Sequence, residues 1–119
     1  DYIFQCPYKL DIEKMKEAIQ YFVGTHDFES FTPTKDKRDN YVRTINYANV
    51  EVVNEKVIFT FRGTGFIKYQ IRNMVGYLIR IGEGKKDVNS IPDVLLIKDR
   101  SSASITAHSE GLYLVNVEY

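Results

Sequence analysis

The feature that most constrains the fold is an alternating stretch over residues 41–61, which is rich in β-branched and aromatic side chains. The alternation is interrupted at Asn54-Glu55, between an apolar run over residues 50–53 and a second run over residues 57–61. Two runs with a period of two, separated by a short polar break, are typical of a β-hairpin. We therefore expect an antiparallel hairpin at this point of the chain.

A helix is predicted ahead of the hairpin, over residues 11–24. Asp11 suits its N-cap, apolar side chains follow at helical spacing, and Gly24 stands where a C-terminal cap belongs. Between this helix and the hairpin, residues 26–40 lack periodicity and are rich in Asp, Thr, Pro, Lys and Ser. We expect a short compact turn there, followed by an exposed loop with weak order over residues 34–40.

Two more helices are predicted after the hairpin. The first ends at Gly82 and Gly84 and carries an apolar stripe formed by Ile71, Met74, Val75, Leu78 and Ile79. The second is short and runs to residue 97, with Ser90 and Asp93 spaced as in a capping arrangement and Pro92 in its first turn. Both are candidates to pack on one face of a sheet.

Alternation returns over residues 112–117, which predicts a closing strand. Strands and helices in this order predict an α+β fold, with an antiparallel or mixed β-sheet and helices packed on one face. A chain of 119 residues can close one hydrophobic core and leaves little room for a second. We expect a single domain over residues 1–119.

Cysteine content and hydropathy exclude several classes of protein. Cys6 is the single cysteine, so the sequence holds no internal disulfide framework and no multi-cysteine zinc site. No apolar run approaches the roughly 20 residues that a membrane-spanning helix needs, and no signal or transit peptide is recognisable. A cytoplasmic location is the expectation. Because the sequence begins at Asp1 without an initiator methionine, we also expect it to be a piece of a longer polypeptide.

The net charge is zero, but the charges are unevenly distributed. Residues 1–55 hold seven basic against ten acidic side chains, residues 56–100 hold nine against four, and residues 101–119 hold none against two. The middle region, at plus five, has the charge that a surface touching nucleic-acid phosphates requires. An ordinary solvated polar face has the same composition, so charge alone leaves both interpretations open.

Three residues share one face of the predicted helix that ends at Gly82 and Gly84. Arg72, Gly76 and Arg80 lie at positions i, i+4 and i+8, apart from the apolar stripe. A glycine inside a helix costs about 1 kcal/mol relative to alanine, which suggests close packing at Gly76. Arg72 is either a plain surface arginine or a guanidinium that holds a carboxylate in a bidentate pair.

The residues around Arg72 resemble a known family. The run GFIKYQIRNMVG over residues 65–76, continued by Gly82, Gly84 and Lys85, is similar to the signature of the tRNA pseudouridine synthase A family. Shorter matches extend over essentially all 119 residues in order; they are His26-Asp27-Phe28, Ser30-Phe31, residues 42–45, Asp99-Arg100, Thr106-Ala107 and residues 111–115.

This resemblance implies an RRM-like or ferredoxin-like fold and an activity. The implied unit is the C-terminal domain of an enzyme that isomerises uridine to pseudouridine in the tRNA anticodon arm, at the positions conventionally counted 38 to 40. It further implies tRNA as a partner, a homodimer, and neither a metal nor an organic cofactor. In this family the catalytic aspartate belongs to an arginine-threonine-aspartate motif of the N-terminal domain, whereas this sequence offers Arg43-Thr44-Ile45. The resemblance therefore implies that the chain lacks the catalytic aspartate and is inactive alone.

The resemblance also assigns roles to individual residues. It implies that Arg72 pairs with the missing aspartate, keeping it ionised and oriented. It implies that Leu112 packs against the target base, as an apolar wall that helps to offset the cost of flipping the base out of its stack. The basic middle region would hold the tRNA backbone, through the candidate residues Lys68, Arg80, Lys85, Lys86 and Arg100.

Other interpretations stay open on the sequence alone. His26 and Asp27 are adjacent, but no Ser or Cys nucleophile stands in a motif beside them, so a cap or turn hydrogen bond is the expected role. The rivals to the enzyme are a non-catalytic α+β RNA-binding module and a dimerisation domain without an RNA role. An upstream arginine-threonine-aspartate motif in the complete reading frame would favour the enzyme.

Overall fold

The computed structural model of the protein describes residues 2–6, 10–32, 39–67, 69–97 and 113–117. Within these ranges the strands are β1 (Tyr2–Cys6), β2 (Gly24–Asp27), β3 (Val42–Val53), β4 (Lys56–Thr64) and β5 (Tyr113–Val117). The α-helices are α1 (Ile12–Ile19), α2 (Gln70–Gly82) and α3 (Ile91–Ile97), and short 3₁₀ helices lie at Gln20–Phe22, Glu29–Phe31 and Val88–Ser90. No helix among the described residues is long and apolar enough to cross a membrane.

The five strands form one sheet in the order β2-β3-β4-β1-β5, and every neighbouring pair is antiparallel. Apart from the edge strand β2, the short helix α3 and the 3₁₀ helices, the chain runs β-α-β-β-α-β, with β1 lying between β4 and β5. This order of elements is the ferredoxin-like split βαβ arrangement. The predicted α+β fold with an antiparallel sheet is therefore confirmed.

The core lies between one face of the sheet and the helices. Along β4, Val57, Phe59 and Phe61 are buried, and the residues between them are more exposed. Opposite them on β3, Val50 pairs with Phe59 and Ala48 with Phe61, and both are buried. The helices complete this core with Met15, Ala18, Ile19, Ile71, Met74, Val75 and Leu78. Helices on one face of the sheet were predicted, and the apolar stripe of α2 packs as expected.

The turn of the predicted hairpin is confirmed at Asn54 and Glu55. Both residues have left-handed backbone conformations, with φ of 52° and 65°. Positive φ at both central residues is the requirement of a two-residue type I′ turn, whose twist matches that of the strands it joins. The strands β3 and β4 then pair from Val53 and Lys56 back to Thr44 and Thr64.

The first helix differs from the prediction at its end. Its N-cap is Asp11 as expected, because a side-chain oxygen of Asp11 accepts a hydrogen bond from the backbone N–H of Lys14 at 3.2 Å. However, α1 ends at Ile19 and continues as a 3₁₀ turn, so Gly24 is not its cap. Gly24 opens β2 with a φ of 113°, a conformation that suits glycine.

Strand β2 lies where an irregular segment was expected. Its four residues are mostly polar, and pairing with β3 holds them in an extended conformation. The expected compact turn follows as the 3₁₀ helix Glu29–Phe31. Most of the loop predicted over residues 34–40 lies outside the described residues.

The predicted third helix is present as α3, but Ser90 does not have the expected capping role. The hydroxyl of Ser90 donates to the carbonyl of Asp87 at 2.7 Å and lies 2.7 Å from the hydroxyl of Tyr77. Because the single Ser90 proton is used by Asp87, Tyr77 is the donor in the second bond. These bonds tie the 3₁₀ helix Val88–Ser90 to α2.

Candidate active site

Arg72 lies in the first turn of α2, and buried polar contacts determine where this helix begins. The fully buried Gln70 accepts a hydrogen bond from the Ile67 N–H through Oε1 at 3.1 Å, and its own N–H donates to the Ile67 carbonyl at 2.9 Å. The residue before it, Tyr69, is left-handed with a φ of 65°. The second bond satisfies the Gln70 N–H, which a helix N-terminus otherwise leaves without a partner, and the first ties the Gln70 side chain to the preceding loop.

The residue after Arg72 is also anchored. Asn73 is 9% exposed, and its Nδ2 donates to the backbone carbonyl of Phe31 at 2.7 Å. Its backbone N–H donates to the Tyr69 carbonyl at 3.0 Å. Ile71, on the other side of Arg72, is buried in the core. The backbone that carries Arg72 is therefore held from both sides.

The Arg72 side chain itself is partly exposed. Within the described part of the chain, its guanidinium has no hydrogen-bond or ion-pair partner. A guanidinium carries five N–H donors in a planar fork, and two of them can bind one carboxylate in parallel. Arg72 is thus an available bidentate donor on a rigid helix.

The loop that leads from β4 into α2 packs closely on β3. A Cβ at Gly63 would collide with the carbonyl oxygen of Thr44 and lie 2.8 Å from Cζ of Phe66. Gly65 has a φ of 65°, which L side chains rarely adopt. Gly63, near the end of β4, and Gly65, in the loop, are therefore both required by the close approach to β3.

Gly76, midway along the predicted cationic face of α2, is buried, and Arg80 is partly exposed. Eight residues at 1.5 Å per residue place Arg80 about 12 Å along the helix from Arg72. The Nη1 atom of Arg80 lies 3.9 Å from Oε1 of Glu83, and Nζ of Lys85 lies 3.7 Å from the same oxygen. One carboxylate thus sits between two of the predicted RNA-binding side chains.

Lys86 lies beside an aromatic ring, whereas Arg80 and Lys85 lie beside a carboxylate. Its Nζ lies 5.8 Å from the centroid of the Tyr77 ring, within the range of a cation–π contact. The structure therefore brings Arg80, Lys85 and Lys86 together around the C-terminal end of α2. The other predicted site residues, Lys68, Arg100 and Leu112, lie outside the described residues.

His26 and Asp27 make the local hydrogen bonds that were expected. Nε2 of His26 lies 3.0 Å from the carbonyl of Val23, and since a carbonyl can only accept, Nε2 carries the hydrogen. Oδ1 of Asp27 accepts from the Glu29 N–H at 3.0 Å. Each side chain supports a turn next to β2, and they do not bond to each other as a dyad. Among the described residues, no group of three His, Cys, Asp or Glu could hold a metal ion.

Gln70 and Asn73 are functional neighbours of Arg72 that were not predicted from the sequence. Both are polar residues next to the apolar stripe of α2, and both are buried. A buried amide side chain must bond to backbone or other polar groups, which is the role that these two have. Their position beside the stripe is the signal that could have identified them.

Comparison with known proteins shows the family of this chain. Residues 18–119 match the family described as tRNA pseudouridine synthase. The chain belongs to this family, and the resemblance to tRNA pseudouridine synthase A is confirmed.

Three relatives illustrate the match. The tRNA pseudouridine synthase A 1 of Bacillus cereus is 41% identical over 119 residues, which are 100% of this chain and 48% of the relative. The tRNA pseudouridine synthase A of an Exiguobacterium species is 45% identical over 118 residues, covering 99% and 48%. That of Streptococcus suis is 46% identical over 115 residues, covering 95% and 46%. The chain spans about half the length of the curated relatives it matches.

Proposed function

We propose that this chain is one half of a tRNA pseudouridine synthase, the half that supplies Arg72 and part of the tRNA-binding surface. The catalytic aspartate would come from a second domain that precedes these residues in the whole protein. The family match supports this proposal, as does the length of the relatives, of which the chain covers about half. The observation that carries it is the guanidinium of Arg72, which has no partner among the described residues, on a helix start held by the buried Gln70 and Asn73 bonds.

The chemistry of the reaction explains why such an arginine is useful. Conversion of uridine to pseudouridine breaks the glycosidic bond between C1′ of the ribose and N1 of uracil and forms a carbon–carbon bond between C1′ and C5. The hydrogen of C5 leaves as a proton, and N1 takes up a proton, so the composition of the nucleoside is unchanged. An aspartate that acts as nucleophile or base in this reaction must be ionised. A guanidinium a few Å away favours the ionised form, and two parallel N–H···O bonds fix the orientation of the carboxylate.

The two ends of α2 suit different parts of a bound tRNA. Arg72 would serve the reacting uridine, and the cluster of Arg80, Lys85 and Lys86 would hold backbone phosphates about 12 Å away. We propose that Lys68 and Arg100 belong to the same phosphate-binding surface and that Leu112 packs against the flipped base. The substrate would be uridine at positions 38 to 40 of the anticodon arm, and the enzyme a cytoplasmic homodimer that uses neither a metal nor an organic cofactor.

The test uses the whole protein that contains this chain and tRNA carrying tritium at C5 of uridine, because isomerisation releases that label into water. Replacing Arg72 with Ala should lower kcat by roughly 10²- to 10⁴-fold, since removal of one partner from a buried ion pair costs about 3–5 kcal/mol. The Kd for tRNA should stay within about twofold. Arg62→Ala, which removes a guanidinium from β4, is the control and should keep its turnover.

Three results would count against the proposal. Near-wild-type turnover of the Arg72 variant would remove the role given to this residue. Pseudouridine formation by the 119-residue chain alone would show that no second domain is needed. A whole protein that binds tRNA but releases no tritium would be an RNA-binding module instead.

A further inference from the structure

Arg43, at the start of β3, makes an unusual set of hydrogen bonds. Its Nε donates to the carbonyl of Gly65 at 2.6 Å, and its Nη1 donates to the carbonyls of Val42 at 2.7 Å and Asn40 at 3.1 Å. All three acceptors are neutral backbone groups, and among the described residues Arg43 has no ion-pair partner. The guanidinium thus joins the beginning of its own strand to a loop 22 residues further along the chain.

The loop that Arg43 holds is the one between β4 and α2. This loop and the end of β4 touch β3 at two neighbouring points, because Gly63 of β4 lies against the Thr44 carbonyl and Gly65 of the loop is bonded to Arg43. A Cβ at Gly65 would lie 3.5 Å from Nε of Arg43, so the side chain also covers the left-handed turn at this glycine. The end of the loop nearest β4 is therefore fixed to the sheet.

Beyond Gly65, further hydrogen bonds hold residues on both sides of Arg72 in the sequence. Ile67 and Gln70 exchange two bonds, one through the buried Gln70 side chain, and Asn73 N–H reaches the Tyr69 carbonyl at 3.0 Å. Among the described residues, the loop is thus fixed to β3 at Gly65 and bonded to the first turn of α2 at Ile67.

We propose that Arg43 is a positioning residue for Arg72: by clamping Gly65 to the start of β3, it sets where α2 begins and where the Arg72 guanidinium is presented. This inference rests on the proposed function and adds a residue to the same site. The role requires arginine, because the planar fork offers donors on two edges at fixed angles. A lysine ammonium keeps the charge but is one point on a flexible stem and cannot bridge the same carbonyls.

The kinetic test compares Arg43→Lys with Arg62→Lys in the whole protein. Both substitutions keep the charge, but the guanidinium of Arg62 lies 5.0 Å from the centroid of the Tyr47 ring, away from the clamp. Arg43→Lys should lower kcat about tenfold or more and leave KM for tRNA within about twofold, because a small misplacement of a catalytic group mainly slows the chemical step. Arg62→Lys should leave both constants unchanged. Arg43→Met, which keeps part of the aliphatic stem, should behave like Arg43→Lys.

Hydrogen exchange provides a readout that does not depend on activity. In both Arg43 variants, the amides of Ile67, Gln70 and Asn73 should exchange about tenfold faster, while those of the β3–β4 ladder keep their protection. If the wild-type protein forms no pseudouridine, the proposed function fails. The comparison of exchange rates between the wild-type protein and the Arg43 variants still decides whether Arg43 holds the loop.

Several outcomes would overturn the inference. Full kcat in Arg43→Lys would show that the fork is not needed. Arg43 would instead be a phosphate contact if Arg43→Met raised the KM for tRNA and changed its salt dependence, while Arg43→Lys kept the wild-type KM. Faster exchange spread over the whole sheet would indicate a general loss of stability, and unchanged exchange at the three amides would show that the loop is held without Arg43.

Discussion

Asn73 and Phe31 are 42 residues apart in the sequence and are joined by a 2.7 Å hydrogen bond from the Asn73 side-chain amide to the Phe31 carbonyl. The Phe31 ring makes edge contacts with Phe22, at 5.2 Å between centroids, and with Tyr77, at 5.9 Å. The residue next to Arg72 is thus bonded to the backbone of an aromatic cluster in the core. Side-chain packing on one side and buried hydrogen bonds on the other hold the first turn of α2 in place.

Replacing Asn73 with Ala should destabilise the chain by about 1–3 kcal/mol. The substitution leaves the Phe31 carbonyl without its donor, and a buried acceptor that loses its partner costs its desolvation free energy. Urea unfolding of the 119-residue chain measures the change in the free energy of unfolding. Asn46→Ala, at an exposed position of β3, is the matched control and should change stability by less than about 0.5 kcal/mol. Equal losses in the two variants would contradict a structural role for the Asn73 bond.

The turn between β3 and β4 offers a stabilising substitution. Glu55 has a φ of 65°, a conformation that costs an L residue roughly 1–2 kcal/mol and glycine almost nothing. Glu55→Gly creates the Asn-Gly pair that type I′ turns prefer, so we expect a gain of about 0.5–1 kcal/mol in the free energy of unfolding. Glu51→Gly, at an exposed and extended position of β3, should instead lose about 0.5–1 kcal/mol. If both variants lose stability, backbone strain at Glu55 is not significant.

The elements that could be predicted from the sequence are those with local signals. The hairpin carries a period of two on both strands, and the apolar stripe of α2 repeats at helical spacing, so each pattern is visible within a dozen residues. Strand β2 has no such pattern, because its extended conformation comes from pairing with β3. The prediction of a helix cap at Gly24 was wrong because glycine suits both a helix end and the positive φ at the start of this strand.

The candidate site was predictable in part. The spacing of Arg72, Gly76 and Arg80 predicts that they share one helix face, and the structure confirms that all three lie in the helix α2. The contacts that hold this helix and the loop before it could not be predicted from a local spacing. The Arg43–Gly65 and Asn73–Phe31 bonds join residues that are 22 and 42 positions apart. Such pairs meet only after the sheet and helices have packed, and no local pattern marks them. The sequence therefore indicated Arg72 as a candidate, and it did not indicate the long-range hydrogen bonds that hold its helix and the loop before it.

Paired charge reversal at Lys85 and Lys86 should weaken tRNA binding by the whole protein. Each lost phosphate contact lowers the slope of log K against log salt concentration by roughly 0.7–0.9, so the salt dependence should become shallower by about 1.5 units. Filter binding or fluorescence titration at several salt concentrations measures this slope. Reversal of Lys14 and Lys16, both exposed on α1, changes the net charge equally and is the control. An unchanged slope would remove Lys85 and Lys86 from the RNA-binding surface.

Neutralising Glu83 should have the opposite effect on tRNA binding. Its carboxylate lies between Arg80 and Lys85, at 3.9 and 3.7 Å, and would repel a phosphate that approaches these two cations. Glu83→Gln should therefore raise tRNA affinity about two- to fivefold at low salt, with a smaller gain at high salt because such partly exposed charges are screened. The stability of the chain should change by less than about 1 kcal/mol, since partly exposed ion pairs contribute little.

Glu13→Gln is the matched control for this prediction. It removes the same charge from a pair with Lys16 at 4.0 Å on α1, and the tRNA affinity of this variant should stay at the wild-type value. Equal gains in tRNA affinity in the two variants would reflect net charge alone. A loss of affinity in Glu83→Gln would show that this carboxylate orients Arg80 and Lys85 for binding and does not compete with the phosphate.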